Sequence, residues 1–340
     1  MTQTSFDGHV KVAVCVPARN EADALPQLFA ALDRLDQRGM APTLCLLLDG
    51  CDDQSTVLAH DYAARASLPV RVEHAADAES NVGVARHRAM QLGARVLDGA
   101  GFLLTTDGDS VPATDWLQTM VAGLRLADVV AGKVVRTVTW SNPVQDRLER
   151  YYEALHATRR SLDPVAWEAL ATHHQTSGAN LGISVQHYRA IGGFQPIPAG
   201  EDARLADDAA RAGLRVRRDA ASVVFTSDRR TGRVAHGFAE GLRALDGNSD
   251  GVEVAHPDDA MWQYRGHALA RHAYDSGYFA PLAEAIGLDR DHLIGVHRDS
   301  PNAEAFAMRV VPVPPGGMRR VTLAAAEAAL AALALARYAA

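Results

Sequence analysis

Two carboxylates one residue apart, Asp107 and Asp109, close the apolar run Gly101-Phe-Leu-Leu-Thr-Thr, with only Gly108 between them. A carboxylate pair on a tight turn after a strand suits a hard divalent cation such as Mg²⁺ or Mn²⁺. Such an ion takes one or two protein carboxylates and fills its shell with water and substrate phosphate oxygens. Gly108 is the residue type that a tight turn requests. The competing reading is an ordinary Asp-Gly turn between strand and helix. Further acidic groups at Asp49-Gly-Cys-Asp-Asp53 and Glu201-Asp202 make the surrounding architecture decisive.

The elements that must carry these residues follow from periodicity and breakers. Val10 to Val16 is a β-rich run that Pro17 is expected to stop, followed by the polar loop Pro17-Ala-Arg-Asn-Glu21. Leu25, Leu28, Phe29, Leu32 and Leu35 have helical spacing, with Pro26 tolerated in the first turn and Gly39 as the stop. Leu44 to Leu48 is a second buried strand leading to Asp49, with a helix to about Ala66, and Val70 to His74 is a third. Asn81-Val-Gly-Val-Ala-Arg86 opens a helix to about Leu97, and Phe102 to Thr106 is the strand that reaches Asp107. Strand–helix units in series imply a mostly parallel sheet with helices on both faces. In such sheets ligands bind beyond the carboxyl ends of the strands, so the loops at 17–21, 49–53 and 107–109 are expected to share one cleft.

Beyond residue 110 the rhythm changes. A helix with Trp116, Leu117, Met120 and Leu124 leads to a β-rich run over Asp128 to Thr137, then a helix-like stretch from about Pro143 to Leu170. Ser177-Gly-Ala-Asn180 is small and glycine-rich, suited to close backbone approach. A short helix ends at Gly192-Gly-Phe194, and a helix beginning near Glu201-Asp202 runs to Gly213. Two short strands are expected at Leu214 to Arg217 and Ser222 to Phe225, then a helix to about Leu245. The polar stretch 246–259 reads as a boundary, giving a domain over 1–245, divided at 110, and a mostly helical extension over 246–340.

Composition narrows the function classes. With 340 residues, 48% hydrophobic and 22% charged, the chain has the make-up of an ordinary globular protein. Its net charge of −7 argues against a general nucleic-acid surface. Cys15, Cys45 and Cys51 form neither a CxxC pair nor an even set, so they read as thiols in a reducing compartment. The N-terminus lacks signal-peptide features, and Thr322 to Ala340, broken by Glu327 and Arg337, reads as a packed helix and not a membrane span. The expectation is a cytoplasmic protein with no stable membrane insertion. The alanine-rich end is read as packing within the chain, with a homodimer contact as the alternative.

Taken together, the ordered motifs resemble the family 2 glycosyltransferases with the GT-A fold, over about residues 10–240. They are Pro17-Ala-Arg-Asn-Glu21, Asp49, Asn81-Val-Gly-Val-Ala-Arg86, Asp107-Gly-Asp109, Ser177-Gly-Ala-Asn180, Gly192-Gly-Phe194 and Glu201-Asp202. The resemblance implies an α/β fold with a Rossmann-like, mixed, mostly parallel sheet flanked by helices, residues 1–110 being the nucleotide-binding half and 111–245 the acceptor half. It implies a nucleoside-diphosphate sugar donor, a small-molecule or glycan acceptor, and a divalent cofactor, Mg²⁺ or Mn²⁺. Pro17, Arg19, Glu21 and Asp49 would hold base and ribose, and Arg86 would lie near the base or the diphosphate. Asp107 would contact ribose or metal-bound water, and Asp109 would ligate the metal. Asp202 would be the general base of an inverting transfer, with Glu201 as its neighbour or substitute; retention stays open. Where relatives place a metal-binding histidine, this chain reads Phe225-Thr-Ser-Asp228, leaving Asp228 or His236 as the candidate further ligand. The Gln-x-x-Arg-Trp signature of processive synthases is absent, which implies a soluble enzyme making single transfers.

Two other functions compete. A sugar-phosphate nucleotidyltransferase also combines such a fold with metal-binding acids, but the first loop is not a glycine-rich loop ending in lysine. A non-catalytic sugar-nucleotide-binding protein keeps the fold without the chemistry, and has little use for a carboxylate at Asp202. No GxGxxG follows the first strand, which weighs against a dehydrogenase. His173-His174 is read as a satisfied or surface pair, not a metal site, and Trp140 and Tyr151-Tyr152 as packing aromatics with an acceptor-stacking alternative. Arg229, Arg230 and Arg233 form a basic cluster that reads equally as an anion clamp or a solvated loop.

Overall fold

The computed structural model describes residues 8–75, 81–137, 142–227, 251–311, 313–314 and 316–338, with side chains to 333. Trp140, Asp228, Arg229, Arg230, Arg233 and His236, and the helix expected to reach about Leu245, lie outside the described residues.

The chain divides into two compact units. The first holds residues 1–140, 167–209 and 216–240. Its strands are β1 (Val10–Ala18), β2 (Met40–Asp49), β3 (Val70–Ala75), β4 (Phe102–Thr105), β5 (Ser110–Pro112), β6 (Val129–Thr137), β7 (Leu181–Ser184) and β8 (Val216–Ser227). They form one sheet in the order β3-β2-β1-β4-β7-β6-β8-β5. β3, β2, β1 and β4 run parallel, as the repeated strand–helix units require, whereas β7 is antiparallel to both β4 and β6. β6 and β8 are again parallel, and β5 closes the edge antiparallel to β8.

Helices α1 (Leu25–Leu32), α2 (Ser55–Arg65), α3 (Val82–Val96) and α4 (Trp116–Leu124) connect these strands. Leu25, Leu28, Phe29 and Leu32 of α1 are all buried, as their spacing demands. They join Val12, Val14 and Val16 of β1 and Leu44, Leu46 and Leu48 of β2 in one core. Each such side chain contributes roughly 1.5–3 kcal/mol by leaving water. Phe29 stacks on Tyr62 of α2 with ring centroids 4.1 Å apart, and the Tyr62 hydroxyl donates to Asp33 over 2.8 Å.

Pro17 does not stop β1. The strand continues to Ala18, with Pro17 in register with Leu47. β4 pairs with β1 only as far as Cys15, so the missing Pro17 N–H falls where one flank of the strand is already open. The two strands expected at 214–217 and 222–225 are one, β8, whose register jumps opposite Gly132 and Lys133. That irregularity absorbs the polar stretch that reads as a break in the sequence.

The second unit holds residues 141–166, 210–215 and 241–340. In it α5 (Pro143–Leu162) is followed by α8 (Pro257–Ser276), α9 (Ala280–Ile286), α10 (Arg290–Arg298), α11 (Ala303–Val310) and α12 (Leu323–Tyr338); between α5 and α8 in the chain come α6 (Val185–Ala190) and α7 (Glu201–Arg211). α5 ends at Asp163 because Pro164 follows, and the residue before a proline is pushed out of helical geometry. Asn142 caps its start by accepting from the Val144 and Gln145 amides. Tyr151 and Leu155 of α5 pack with Ala260, Leu323 and Ala326, so the Tyr151 ring is core. A small antiparallel pair, Glu253–Ala255 with Arg320–Thr322, also belongs to this otherwise helical unit. No helix among the described residues is long and apolar enough to cross a membrane.

Candidate active site

The loops leaving β1 and β2 are tied to one another before any ligand is considered. The Glu21 amide donates to Ser55 Oγ over 2.8 Å, the Ala22 amide to Asp53 Oδ2 over 3.0 Å, and the Asp52 amide to Asn20 Oδ1 over 2.9 Å. Arg19 lies 3.8 Å from Asp49 Oδ2, an ion pair too long for a hydrogen bond. Asp49 is 4% exposed, and its other oxygen, Oδ1, is buried with no hydrogen-bond partner among the described residues. Burial pushes its carboxyl above the ordinary value, with Arg19 and Arg88 opposing that shift. A buried acceptor without a donor is costly unless a ligand supplies one.

The turn after β4 places Asp107 and Asp109 half-buried on either side of Gly108. Gly108 is not needed there for a left-handed backbone, since its φ is not positive. It is needed for space: a Cβ would come within 3.0 Å of Glu21 Cγ. The glycine thus lets the Glu21 side chain of the first loop lie against the acidic turn. The buried hydroxyls of Thr106 and Ser110, flanking the turn, have no hydrogen-bond partner among the described residues.

Arg86, on α3, is 4% exposed and joins this turn to the second acidic pair. Its Nη1 donates to Asp107 Oδ1 over 2.7 Å, to Gly178 O over 2.9 Å and to Thr105 Oγ1 over 3.3 Å. Its Nε donates to Glu201 Oε1 over 3.1 Å, and its guanidinium carbon lies 5.8 Å from the centre of the Phe194 ring. Burial opposes the charge, but Asp107, Glu201 and Asp202 outweigh it and raise the arginine above its ordinary value. Burial likewise pushes the Glu201 carboxyl up, against the pull of Arg86. Gly178 also donates its amide to Asp202 Oδ2 over 2.9 Å, while Asp202 Oδ1 accepts from the Ala203 amide over 2.7 Å. Asp202 is therefore oriented through both oxygens and remains half-buried.

The sequence-derived candidates Arg86, Asp107, Glu201 and Asp202 thus meet through one guanidinium and one glycine, and Arg19 meets Asp49 beside the first loop. Pro17 lies in β1 at the base of that loop. Asn81 caps α3 by accepting from the Val84 amide, and its Nδ2 donates to Pro196 O, seating the loop that precedes Glu201. In the sequence, the stretch 177–180 suits close backbone approach without naming what approaches Gly178 or Asn180. Gly178 receives Arg86, and a Cβ there would lie 2.4 Å from Arg86 Cζ. Asn180 is a buried brace whose partners are Trp116 and the carbonyls of Lys133 and Ser222. The only available signal was their small, glycine-rich setting. His173 is buried with Nε2 on Ala131 O, while its Nδ1 has no hydrogen-bond partner among the described residues, so the ring is only half satisfied.

No group of three or more His, Cys, Asp or Glu side chains among the described residues is arranged to hold a metal. The donor chemistry at the turn nevertheless fits a hard cation that needs only one or two protein carboxylates, because Asp107 and Asp109 offer oxygen alone.

Residues 13–174 match the family model Glycosyl transferase family 2. No curated protein matches the chain. Among solved structures, S. aureus TarS 1-349 in complex with UDP-GlcNAc is similar at 14% identity and a TM-score of 0.50, over 89% of this chain and 90% of that one. A mannosyltransferase from Pyrobaculum calidifontis, in complex with GDP-Man and Mn²⁺, aligns at 16% identity and a TM-score of 0.47, over 89% of this chain and 86% of that one. At such identity the TarS likeness speaks for the fold, a large, mostly parallel sheet flanked by helices with a helical C-terminal region. The match over residues 13–174, just under half of the chain, together with this fold identifies the protein as a glycosyltransferase similar to glycosyl transferase family 2.

Proposed function

We propose that the enzyme moves a sugar from a nucleoside-diphosphate sugar to an acceptor hydroxyl in a single, inverting, metal-dependent transfer. The observation that carries this reading is the pairing of two carboxylate stations, Asp107 with Asp109 and Glu201 with Asp202, around Arg86. Asp49 and Arg19, with Pro17 and Glu21, would take the base and ribose; the unsatisfied Asp49 Oδ1 suits a donor hydroxyl or ring N–H. Asp109, with the oxygen of Asp107 not held by Arg86, would hold Mg²⁺ or Mn²⁺ at the donor diphosphate. When bound, such an ion stabilises the charge of the leaving diphosphate as a Lewis acid. On the other side, Asp202 accepts the proton of the acceptor hydroxyl as that oxygen bonds to the anomeric carbon, and the bond to the nucleoside diphosphate breaks with its electron pair leaving on the phosphate oxygen. Glu201 is bound to Arg86, so it supports the site and leaves proton transfer to its neighbour.

A thermal-shift panel of nucleotide sugars, with Mn²⁺ and with chelator, tests this reading and identifies base and sugar together, because a ligand that binds the folded state raises its melting temperature. UDP-GlcNAc, the ligand of the TarS structure, heads the panel. A metal-dependent shift followed by release of free nucleoside diphosphate supports the proposal. Failure of every nucleoside diphosphate to shift melting, or consumption of a sugar phosphate with a nucleoside triphosphate, would overturn it.

A further inference from the structure

Arg86 spends its hydrogen bonds on the protein, yet it stands between the two carboxylates to which opposite halves of the reaction are assigned. It reaches 21 positions along the chain to Asp107 and 115 positions to Glu201. It also grips the Gly178 carbonyl, while the amide of the same glycine grips Asp202. Asp107, Arg86, Gly178 and Asp202 therefore form one continuous chain of short polar contacts from the β4 turn to the start of α7. We propose that Arg86 is a positioning residue for sugar transfer, fixing the carboxylate on the donor side, Asp107, relative to that on the acceptor side, Asp202, through Gly178. This rests on the site reading given above.

Three features favour positioning over mere packing or donor contact. A planar fork can hold several acceptors at set angles, whereas a lysine is a single point charge on a flexible stem. Gly178 leaves the space that the guanidinium fills, since an added Cβ would meet Cζ at 2.4 Å. The arginine is nearly inaccessible, so its route to the reaction is through the carboxylates that it holds. Transfer requires the acceptor oxygen, its base and the donor to be aligned together, and a misplacement near 1 Å costs about a hundredfold in rate.

The test uses the full chain and two substitutions. Arg86→Lys keeps the charge and removes the fork; Gly178→Ala keeps every charge and intrudes on the fork, at a backbone angle that alanine accepts. For folded protein, both are expected to lower kcat at least about tenfold while the donor KM stays within about threefold. Glu201→Gln, which leaves an oxygen for Nε, is expected to lose less than either. A purely structural role predicts activity that falls only with the folded fraction, as read by thermal melting, and a role in donor contact predicts a raised KM with kcat kept. Either result overturns the proposal. If Arg86→Lys does not fold, Gly178→Ala and Glu201→Gln decide between the same outcomes. Wild-type protein that binds and turns over no nucleotide sugar would sink the site reading and this inference together, whereas normal turnover in wild type and in the folded variants sinks this inference alone.

Discussion

Trp116 donates its indole N–H to Asn180 Oδ1 over 2.8 Å, and neither side chain reaches solvent. Asn180 Nδ2 in turn donates to Lys133 O over 2.9 Å and Ser222 O over 3.0 Å. One amide thus braces α4, β6 and β8 immediately before β7. We predict that Asn180→Ala, by stranding these buried groups, destabilises the fold by about 3 kcal/mol. The check is the urea midpoint at unchanged m-value. A loss below about 0.5 kcal/mol would show that water replaces the amide.

Removing the proposed base without changing its shape separates chemistry from binding. Asp202→Asn retains an oxygen for the Gly178 amide but cannot take a proton. Its kcat is expected to fall by about 10²–10⁴ with nucleotide affinity unchanged within about threefold. Retention of more than about a tenth of wild-type turnover would move the base elsewhere.

Asp49→Asn is expected to act on the opposite step. Asp49 is a buried acceptor awaiting a donor, so replacing one carboxylate oxygen by an amide weakens nucleotide binding about tenfold or more. Isothermal titration with the nucleoside diphosphate reads this directly, and an unchanged Kd would remove Asp49 from the nucleotide site.

Chelation is predicted to abolish transfer, and either Mg²⁺ or Mn²⁺ to restore it. Asp109→Asn should then raise the metal concentration for half-maximal rate by about tenfold or more, since a hard cation loses a charged oxygen ligand. Full activity in chelator would exclude the metal-dependent mechanism.

Acid stability has a separate source. Burial depresses His173 to about 4 against an ordinary 6.5, with the Ala131 carbonyl opposing the shift. The unfolded chain therefore binds a proton near pH 6 that the folded chain refuses until about pH 4. Stability is full above about pH 6.5 and falls as pH drops toward 4, by about 3 kcal/mol for this group. His173→Gln, whose amide can still donate toward Ala131 O, should flatten part of that decline. The part due to His267, also depressed to about 4 by burial, should remain. Denaturant titrations at pH 7 and 4.5 check this; an equal slope in wild type and variant refutes it.

The element order, the parallel character of the sheet and the loops that carry the acidic residues were legible in the sequence, because each depends on local periodicity and on breakers within a few residues. Even so, local signals misjudged Pro17, whose cost depends on where β4 ceases to pair, and the break before Ser222, which an irregular register absorbs.

By itself, the sequence determined the resemblance to family 2 and the chemical types available: carboxylates at 49, 107, 109, 201 and 202, and an arginine at 86. Only the tertiary structure decided that Arg86 would bind Asp107 and Glu201 together, that β7 would enter antiparallel between β4 and β6, and that Gly108 would serve the approach of Glu21 and not a left-handed turn. The physical reason is common to all three. Each is a contact between segments far apart in sequence, fixed by sheet pairing and by the need to satisfy buried charge, and neither leaves a trace in local spacing.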